Sequence, residues 1–241
     1  MKIKLISDVH QEFYEDKELY RNPSNADVLV IAGDLAVGHD AVLSALKQFA
    51  KNYANVVYVS GNHEYYGGKI PEFDQFITRM TEGTNIHFLN PYSVKIGDVT
   101  FIGGNLWTNF RDNMFSKIAC KLAINDFRTI WEFTPQVCSE LHYRHKKYIM
   151  DAYAATVGKT IIVTHFLPAI ECIASEYYGD SAVNDYFAND MGNWIGYLSD
   201  ATWMFGHTHA PVDKVLGDTR MLCNPYGYNK NNNYKECIID L

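Results

Sequence analysis

Val56-Val57-Tyr58-Val59-Ser60-Gly61-Asn62-His63-Glu64 reads as a buried strand running out into a polar loop that glycine opens. Its β-branched run has the near-continuous apolar character of a strand covered on both faces. The arrangement recurs four times. Ile3–Ser7 precedes Asp8-Val9-His10, Val28–Ala32 precedes Gly33-Asp34, Thr160–Val163 precedes Thr164-His165, and Thr202–Phe205 precedes Gly206-His207-Thr208-His209. Each polar patch therefore sits where a strand gives way to a loop. Together the five patches collect oxygen and imidazole groups in the numbers that two adjacent divalent metals need.

Between the second and third of these strands, Asp40–Tyr53 places Val42, Leu43, Leu46, Phe49 and Ala50 at helical spacing, with Asp40 as its expected N-cap. Strand, helix, strand implies a right-handed crossover and parallel pairing. Pro71–Met80 predicts another helix. Ile86–Leu89, Ser93–Ile96 and Val99–Gly103 read as strands, with Gly97-Asp98 as a hairpin turn. Thr134 as N-cap and Pro135 at the first helical position open a long helix, expected to reach about Val157 and to end at Gly158. Asn184–Leu198 reads as helical. Val212–Leu216, Arg220–Cys223 and Glu236–Ile239 are strand-like, Gly217-Asp218 is a second hairpin signal, and Lys230–Asn233 is a low-complexity loop tip. The expectation is one α/β domain over residues 1–241, layered α/β/β/α around a mixed central sheet pair.

An apolar share of 47% in 241 residues supports one buried core. The formal charge of −7 leaves no broad cationic surface to track a nucleic-acid backbone, so extended nucleic acid is not the expected partner. Affinity for phosphate must come from a local source such as bound metal ions. Five cysteines with no Cys-x-x-Cys pair predict reduced thiols in a cytoplasmic protein. The first residues read directly as strand, and no apolar run approaches the ~18 residues of a membrane span.

In an extended chain, residues two apart project to one side. Asp8 and His10 are therefore expected to face one point, and His207 and His209 another. Gly33 lets the backbone approach closely at Asp34, whose carboxylate has two oxygens and can bridge two cations. Asn62 offers a neutral oxygen and His165 a nitrogen. This ligand mix suits Mn²⁺ first, with Fe or Zn²⁺ as alternatives, and no thiolate favours a softer ion.

These motifs resemble the calcineurin-like metallophosphoesterase superfamily over nearly the whole chain. The resemblance implies a metallophosphoesterase-type sandwich with Asp8, His10, Asp34 and His209 around one metal. It implies Asp34, Asn62, His165 and His207 around the other, with Asp34 bridging. His63 is then no ligand but a proton donor or charge stabiliser facing substrate. Asn62-His63-Glu64-Tyr65-Tyr66-Gly67, Leu106-Trp107, Asn125-Asp126-Phe127 and Asn224-Pro225-Tyr226-Gly227-Tyr228 are similar to one bacterial and phage branch. The chain departs from that branch at Phe166, where a second histidine is common, and at Tyr226, where arginine is common. Both departures fall on expected substrate contacts.

The function expected is hydrolysis of phosphate esters by a hydroxide bridging two metals, which lower the pKa of water from ~15.7 toward ~7. His63 would assist departure of the alkoxide. Serine/threonine phosphatases follow their bridging aspartate with a phosphate-binding arginine, whereas Asp34 continues as Leu35-Ala36-Val37-Gly38. A small nucleotide-like phosphodiester is therefore the expected substrate. The alternatives are a phosphomonoesterase or, from another class, a metal-bound non-catalytic scaffold. His39, His87, His142 and His145 read as structural, and Glu64 as a helix-start or supporting residue. Asn125-Asp126-Phe127 either line the pocket or cap a helix. Tyr65, Tyr66, Trp107, Phe110, Phe166, Tyr177 and Tyr178 are core by default, with two or three able to stack on a base.

Overall fold

In the computed structural model, which describes residues 1–13, 17–174, 182–228 and 234–241, the β-branched runs pair into two sheets. Tyr177, Tyr178 and the Lys230–Asn233 tip lie outside the described residues. In the first sheet β1 (Lys2–Ile6), β2 (Val28–Ala32), β3 (Asn55–Val59) and β4 (Ile86–Phe88) run parallel in chain order. An antiparallel strand, β11 (Cys237–Asp240), lies on the far side of β1. In the second sheet β6 (Val99–Gly103), β7 (Thr160–Val163), β8 (Ala201–Phe205) and β10 (Thr219–Cys223) run parallel. The hairpin partners β5 (Tyr92–Ile96) and β9 (Val212–Leu216) form its two antiparallel edges.

Period-two alternation gives each sheet two buried faces. Ile3, Val30 and Val57 of the first sheet pack with Phe101, Ile161 and Met204 of the second. The intervening residues, among them Leu29, Ile31 and Tyr58, face the helical layer. There α1 (His39–Ala50) packs on β3 and α2 (Ile70–Thr81) on β4, while α5 (Pro135–Ala154) covers β6 of the second sheet. Shorter helices α3 (Met114–Ala123), α4 (Asp126–Thr129), α6 (Asn184–Phe187) and α7 (Gly192–Ile195) complete that side. The expected α/β/β/α layering and mixed sheets are present. Among the described residues, no helix is long and apolar enough to cross a membrane.

Three expectations are corrected. The first helix begins at His39 behind Gly38, so Asp40 is not its N-cap but sits inside the first turn, where its charge suits the helix dipole. Thr134 does cap α5, accepting from the Val137 amide at 3.2 Å, but α5 ends at Ala154, short of Gly158. The span 184–198 is two short helices, not one. Ala188 is extended and bridges Leu167, and the Asn189 amide donates to the carbonyls of Trp107 and Leu167 at 2.7 and 3.1 Å. Those tertiary bonds override helical propensity.

Two buried histidines of α5 hold the chain beyond β6. His145 Nδ1 accepts from the Leu106 amide at 3.1 Å, and His142 Nδ1 lies 3.2 Å from the Leu106 carbonyl. Leu106 and Trp107 both carry positive φ, at 79° and 46°, so the turn they make needs such outside support. Burial pushes the imidazoles down, His142 to about 4 and His145 to about 3. Since both lie below the ~6.5 of a free imidazole, the unfolded chain binds protons that the folded chain refuses. Their contribution is fully present above that pH and is lost progressively as the pH falls from there to the folded-state values. The His142→Gln/His145→Gln variant should thus lose stability less steeply than wild type between pH 6.5 and 4. Denaturant midpoints will show it, the difference being at most about tenfold in the folded/unfolded ratio per pH unit per histidine.

Candidate metal centre

The loops after β1, β2, β3, β7 and β8 converge at one end of the sandwich. Asp8, His10, Asp34, His207 and His209 all adopt left-handed backbone, with φ of 52°, 49°, 53°, 68° and 52°. The extended geometry expected for Asp8-Val9-His10 and His207-Thr208-His209 is therefore corrected. Tight left-handed turns aim these side chains, at an energetic cost that surrounding bonds must offset. The Asp8 amide donates to the Gly33 carbonyl at 3.0 Å and the His10 amide to that of Asp34 at 2.9 Å. The His207 amide donates to Asp8 Oδ1 at 3.0 Å.

Among the described residues His10, Glu12 and His63 form one cluster of ligand-type groups, and two candidate ligand sets lie beside it. Asp8, His10, Asp34 and His209 form one, and Asp34, His165 and His207 the other; within each, all ligand atoms lie within 4.8 Å of one another. Asn62 Oδ1 joins the second set, 3.1 Å from His165 Nε2. His207 and His209 thus go to different sets and do not face one point. A single oxygen, Asp34 Oδ2, lies 3.7 Å from His10 Nε2 and 3.5 Å from His165 Nε2. Asp34 is common to both sets.

The donor chemistry fits a pair of cations. His165 Nδ1 lies 2.9 Å from the Ala32 carbonyl, which can only accept, so Nε2 turns its lone pair toward Asn62, Asp34 and His207. His10 Nδ1 lies 3.1 Å from the Glu12 carboxylate, leaving Nε2 to face His209 Nε2 at 3.2 Å. Asp8, His10, Asp34 and His165 are all at most 1% exposed. Buried acceptors pointing at one another are unfavourable unless a proton or cation lies between them. Against the pull of burial, Asp34 raises His165 to about 10, while burial and His165 press His207 down. A divalent ion satisfies the same lone pairs more fully, and this mix of carboxylate, amide oxygen and imidazole suits a transition ion.

Close glycines and a buried carboxylate hold Asp34. A Cβ on Gly33 would stand 2.4 Å from His165 Nδ1, and one on Gly61 2.0 Å from Asp34 Oδ1. Glu64 lies inside the short 3₁₀ turn His63–Tyr65, and its carboxylate does more than sit at a helix start. It accepts from the amides of Asp34, Leu35 and Gly61 at 3.2, 2.8 and 2.8 Å and from the Tyr58 hydroxyl at 2.9 Å. Burial, then the charge of Asp34, raise Glu64 to about 7.

His63 lies at the edge of this centre, its amide donating to Asp34 Oδ1 at 3.0 Å. Asn62 is helical, so a turn and not extended chain directs His63. The ring stacks on Tyr66 at 4.4 Å, and Nδ1 lies 2.9 Å from Glu12 Oε1. Burial opposes its charge, yet Asp34 and Glu12 raise His63 to about 9. For Glu12 burial works upward, but bonds from His10 and His63 hold it at about 2. Glu12 was not legible as a functional residue; its only sequence signal is its place two residues after His10.

A cavity of about 580 Å³ opens beside Asp34, Asn62, His63 and the two C-terminal histidines. Ile124, Leu167, Ile173 and Phe187 give it an apolar wall, and Asn125 and Asn184 polar points. No lysine or arginine lines it among the described residues. Of the aromatic candidates among the described residues, Tyr65, Trp107, Phe110 and Phe166 are core, and Tyr66 alone lines the cavity. Tyr228, which stacks on His10 at 4.3 Å and tilts against His209 at 4.5 Å, lines it as the last residue of the 224–228 motif, and Tyr186 lines it unannounced by its sequence context. Asn125 and Asp126 are cavity residues, and Asn125 makes no side-chain cap on α4. Neither departure residue lines the cavity: Phe166 is buried behind His207, 4.2 Å between ring centres, and Tyr226 packs on Tyr234.

Comparison with known proteins bears on the family and the fold. The profile of the calcineurin-like phosphoesterases matches residues 1–211. An uncharacterised protein, L509, of Acanthamoeba polyphaga mimivirus is 24% identical over 99% of this chain and 96% of its own. The structure of the phosphopantetheinyl hydrolase PptH from Mycobacterium tuberculosis superposes with a TM-score of 0.80 at 15% identity, over 99% of this chain and 95% of that one. TT1561 of Thermus thermophilus gives 0.59 at 11% identity, over 93% and 88%.

Gly61→Ala tests whether Asp34 needs this close packing. The added methyl must displace the Asp34 carboxylate, so Mn²⁺ affinity should fall on the order of 10–100-fold, as for loss of a supporting residue. Calorimetric titration of the metal-free protein reads this directly, with circular dichroism confirming that the sheets remain.

Proposed function

Because the chain belongs to the calcineurin-like phosphoesterase family, we propose that it is a two-metal phosphodiesterase acting on small, nucleotide-like esters. The family uses a binuclear divalent centre and hydrolyses phosphoric esters. Asp8, His10, Asp34 and His209 would hold one ion, and Asp34, Asn62, His165 and His207 the other. Mn²⁺ is the ion favoured, with Fe or Zn²⁺ as alternatives. Bound ions acidify water to give a nucleophile near neutral pH and neutralise charge gathering on the phosphate oxygens. His63 serves the leaving group. With Nδ1 tied to Glu12 and the ring braced on Tyr66, Nε2 is the nitrogen left to give a proton to the departing oxygen.

The observation that carries the diester reading is the absence of lysine and arginine from the described cavity lining. A monoester dianion calls for such a cation more than a diester monoanion does. Tyr66, Phe187 and Tyr228 supply flat apolar surface on which a base or similar group can rest. The chain's net charge of −7 argues against a long nucleic-acid strand as substrate.

Stripping with a chelator should abolish turnover, and Mn²⁺ should restore it; full activity in excess chelator after long incubation would contradict the metal requirement. The restored enzyme should then be offered cyclic nucleotides, dinucleotide and phosphopantetheinyl diesters, and monoesters. Turnover confined to monoesters would replace the diester reading with that of a phosphatase. No turnover, with two ions tightly held, would favour a scaffold.

His63→Ala should keep both ions and lower kcat by ~10²–10⁴ for alkyl or ribose leaving groups. The loss should be mild for p-nitrophenolate, which departs unaided. Equal losses on the two kinds of ester would assign His63 a general electrostatic role. A lost ion would make it a ligand.

A further inference from the structure

Among the residues around the second set of lone pairs, Asn62 alone can exchange an acceptor for a donor by turning over its amide. Its Oδ1 faces His165 Nε2 at 3.1 Å, while its Nδ2 lies 3.2 Å from Asp126 Oδ1 and 3.3 Å from the Tyr66 hydroxyl. The two ends of an amide are nearly equal in size, so packing does not choose between them. Ligation requires His165 Nε2 to be bare, since its other nitrogen donates to Ala32. A bare Nε2 would reward the wrong orientation, with Asn62 Nδ2 donating to it and closing the site.

We propose that Asp126 is a positioning residue that locks the Asn62 amide with its oxygen toward the metal centre. This inference rests on the two-metal reading of the site. Asp126 is 2% exposed and, as a carboxylate, offers only acceptors. The Tyr66 hydroxyl donates to its Oδ1 at 2.6 Å, and the Tyr186 hydroxyl donates to its Oδ2. With its hydrogen committed to Asp126, Tyr66 can only accept from Asn62, so both neighbours of the amide select the same end. Turning Asn62 over would set its oxygen against a carboxylate oxygen and a hydroxyl lone pair in a buried space, which is costly. Asp126 is 64 residues from Asn62 along the chain and reaches it only because the segment after α3 folds over the cavity.

Titration of metal-free protein with Mn²⁺ tests this, with ion content confirmed by elemental analysis. Asp126→Asn presents a donor as readily as an acceptor and frees the amide. It should weaken one of the two ions by about 10–100-fold and leave the other near its wild-type affinity. Exchanging the two groups, in the Asn62→Asp/Asp126→Asn variant, restores an oxygen toward the centre and a donor–acceptor pair behind it. That variant should recover the second ion, which a merely structural role for Asp126 does not predict. Two ions at wild-type affinity in Asp126→Asn would overturn the proposal, as would a folded exchange variant that still lacks the second. Should neither variant fold, wild-type protein decides. Nuclear Overhauser contacts of the Asn62 NH₂ with the Tyr66 ring are expected, and contacts with the His165 ring would refute the assignment. Fewer than two ions in wild-type protein would instead sink the two-metal reading itself.

Discussion

Everything at this end of the sandwich is arranged around the carboxylate of Asp34. It is 1% exposed, and one of its oxygens faces a histidine from each ligand set. A buried anion ringed by imidazoles is stable only if positive charge is supplied and its geometry is fixed. Hence the glycines on either side, which leave no room for a side chain, and the His63 amide on the other oxygen. Hence also Glu64, which grips the backbone of the Asp34 loop and of Gly61 at once.

Five of the proposed ligands sit in left-handed backbone, a conformation that non-glycine residues avoid unless their surroundings impose it. The parallel strands beneath supply that constraint. Each strand ends in register with its neighbour, so each loop leaves the sheet at a fixed height and is pinned by bonds to the next loop. The C-terminal segment closes the arrangement, with the Tyr226 amide donating to the Ser7 carbonyl and the Gly227 amide to that of Asp8, both at 2.8 Å. Strain in the turns is thus borne by a rigid double sheet.

Carboxylates outside the ligand sets divide the surrounding work. Glu12 ties His10 to His63, Glu64 ties the Asp34 loop to the Gly61 loop, and Asp126 ties Asn62 to two tyrosines. Each accepts from groups that would otherwise be free to turn. Among the described residues no lysine or arginine lines the cavity, so on the proposed two-metal reading the ions would supply its affinity for phosphate.

Much of this was legible in the residues. Strand runs ending in Asp8-Val9-His10, Gly33-Asp34 and Gly61-Asn62-His63-Glu64 fixed the parallel sheets, because a β-branched run followed by a glycine-led polar loop has few other uses. The proposed ligand types followed from coordination chemistry, and their proposed division between two ions from the resemblance. Only the folded chain assigned the left-handed turns, since spacing by two residues suggested extended backbone. Only it broke the segment 184–198, where the Asn189 amide finds carbonyls from distant loops. Tyr186 gave no local signal, Glu12 only its place two residues after His10, Tyr228 only its place in the 224–228 motif, and Asp126 a divided one. Their roles depend on contacts between residues far apart in sequence, or on the hand of a turn. Local pattern carries a residue's chemistry and its periodicity; which distant group that chemistry meets is decided by packing of the sheets.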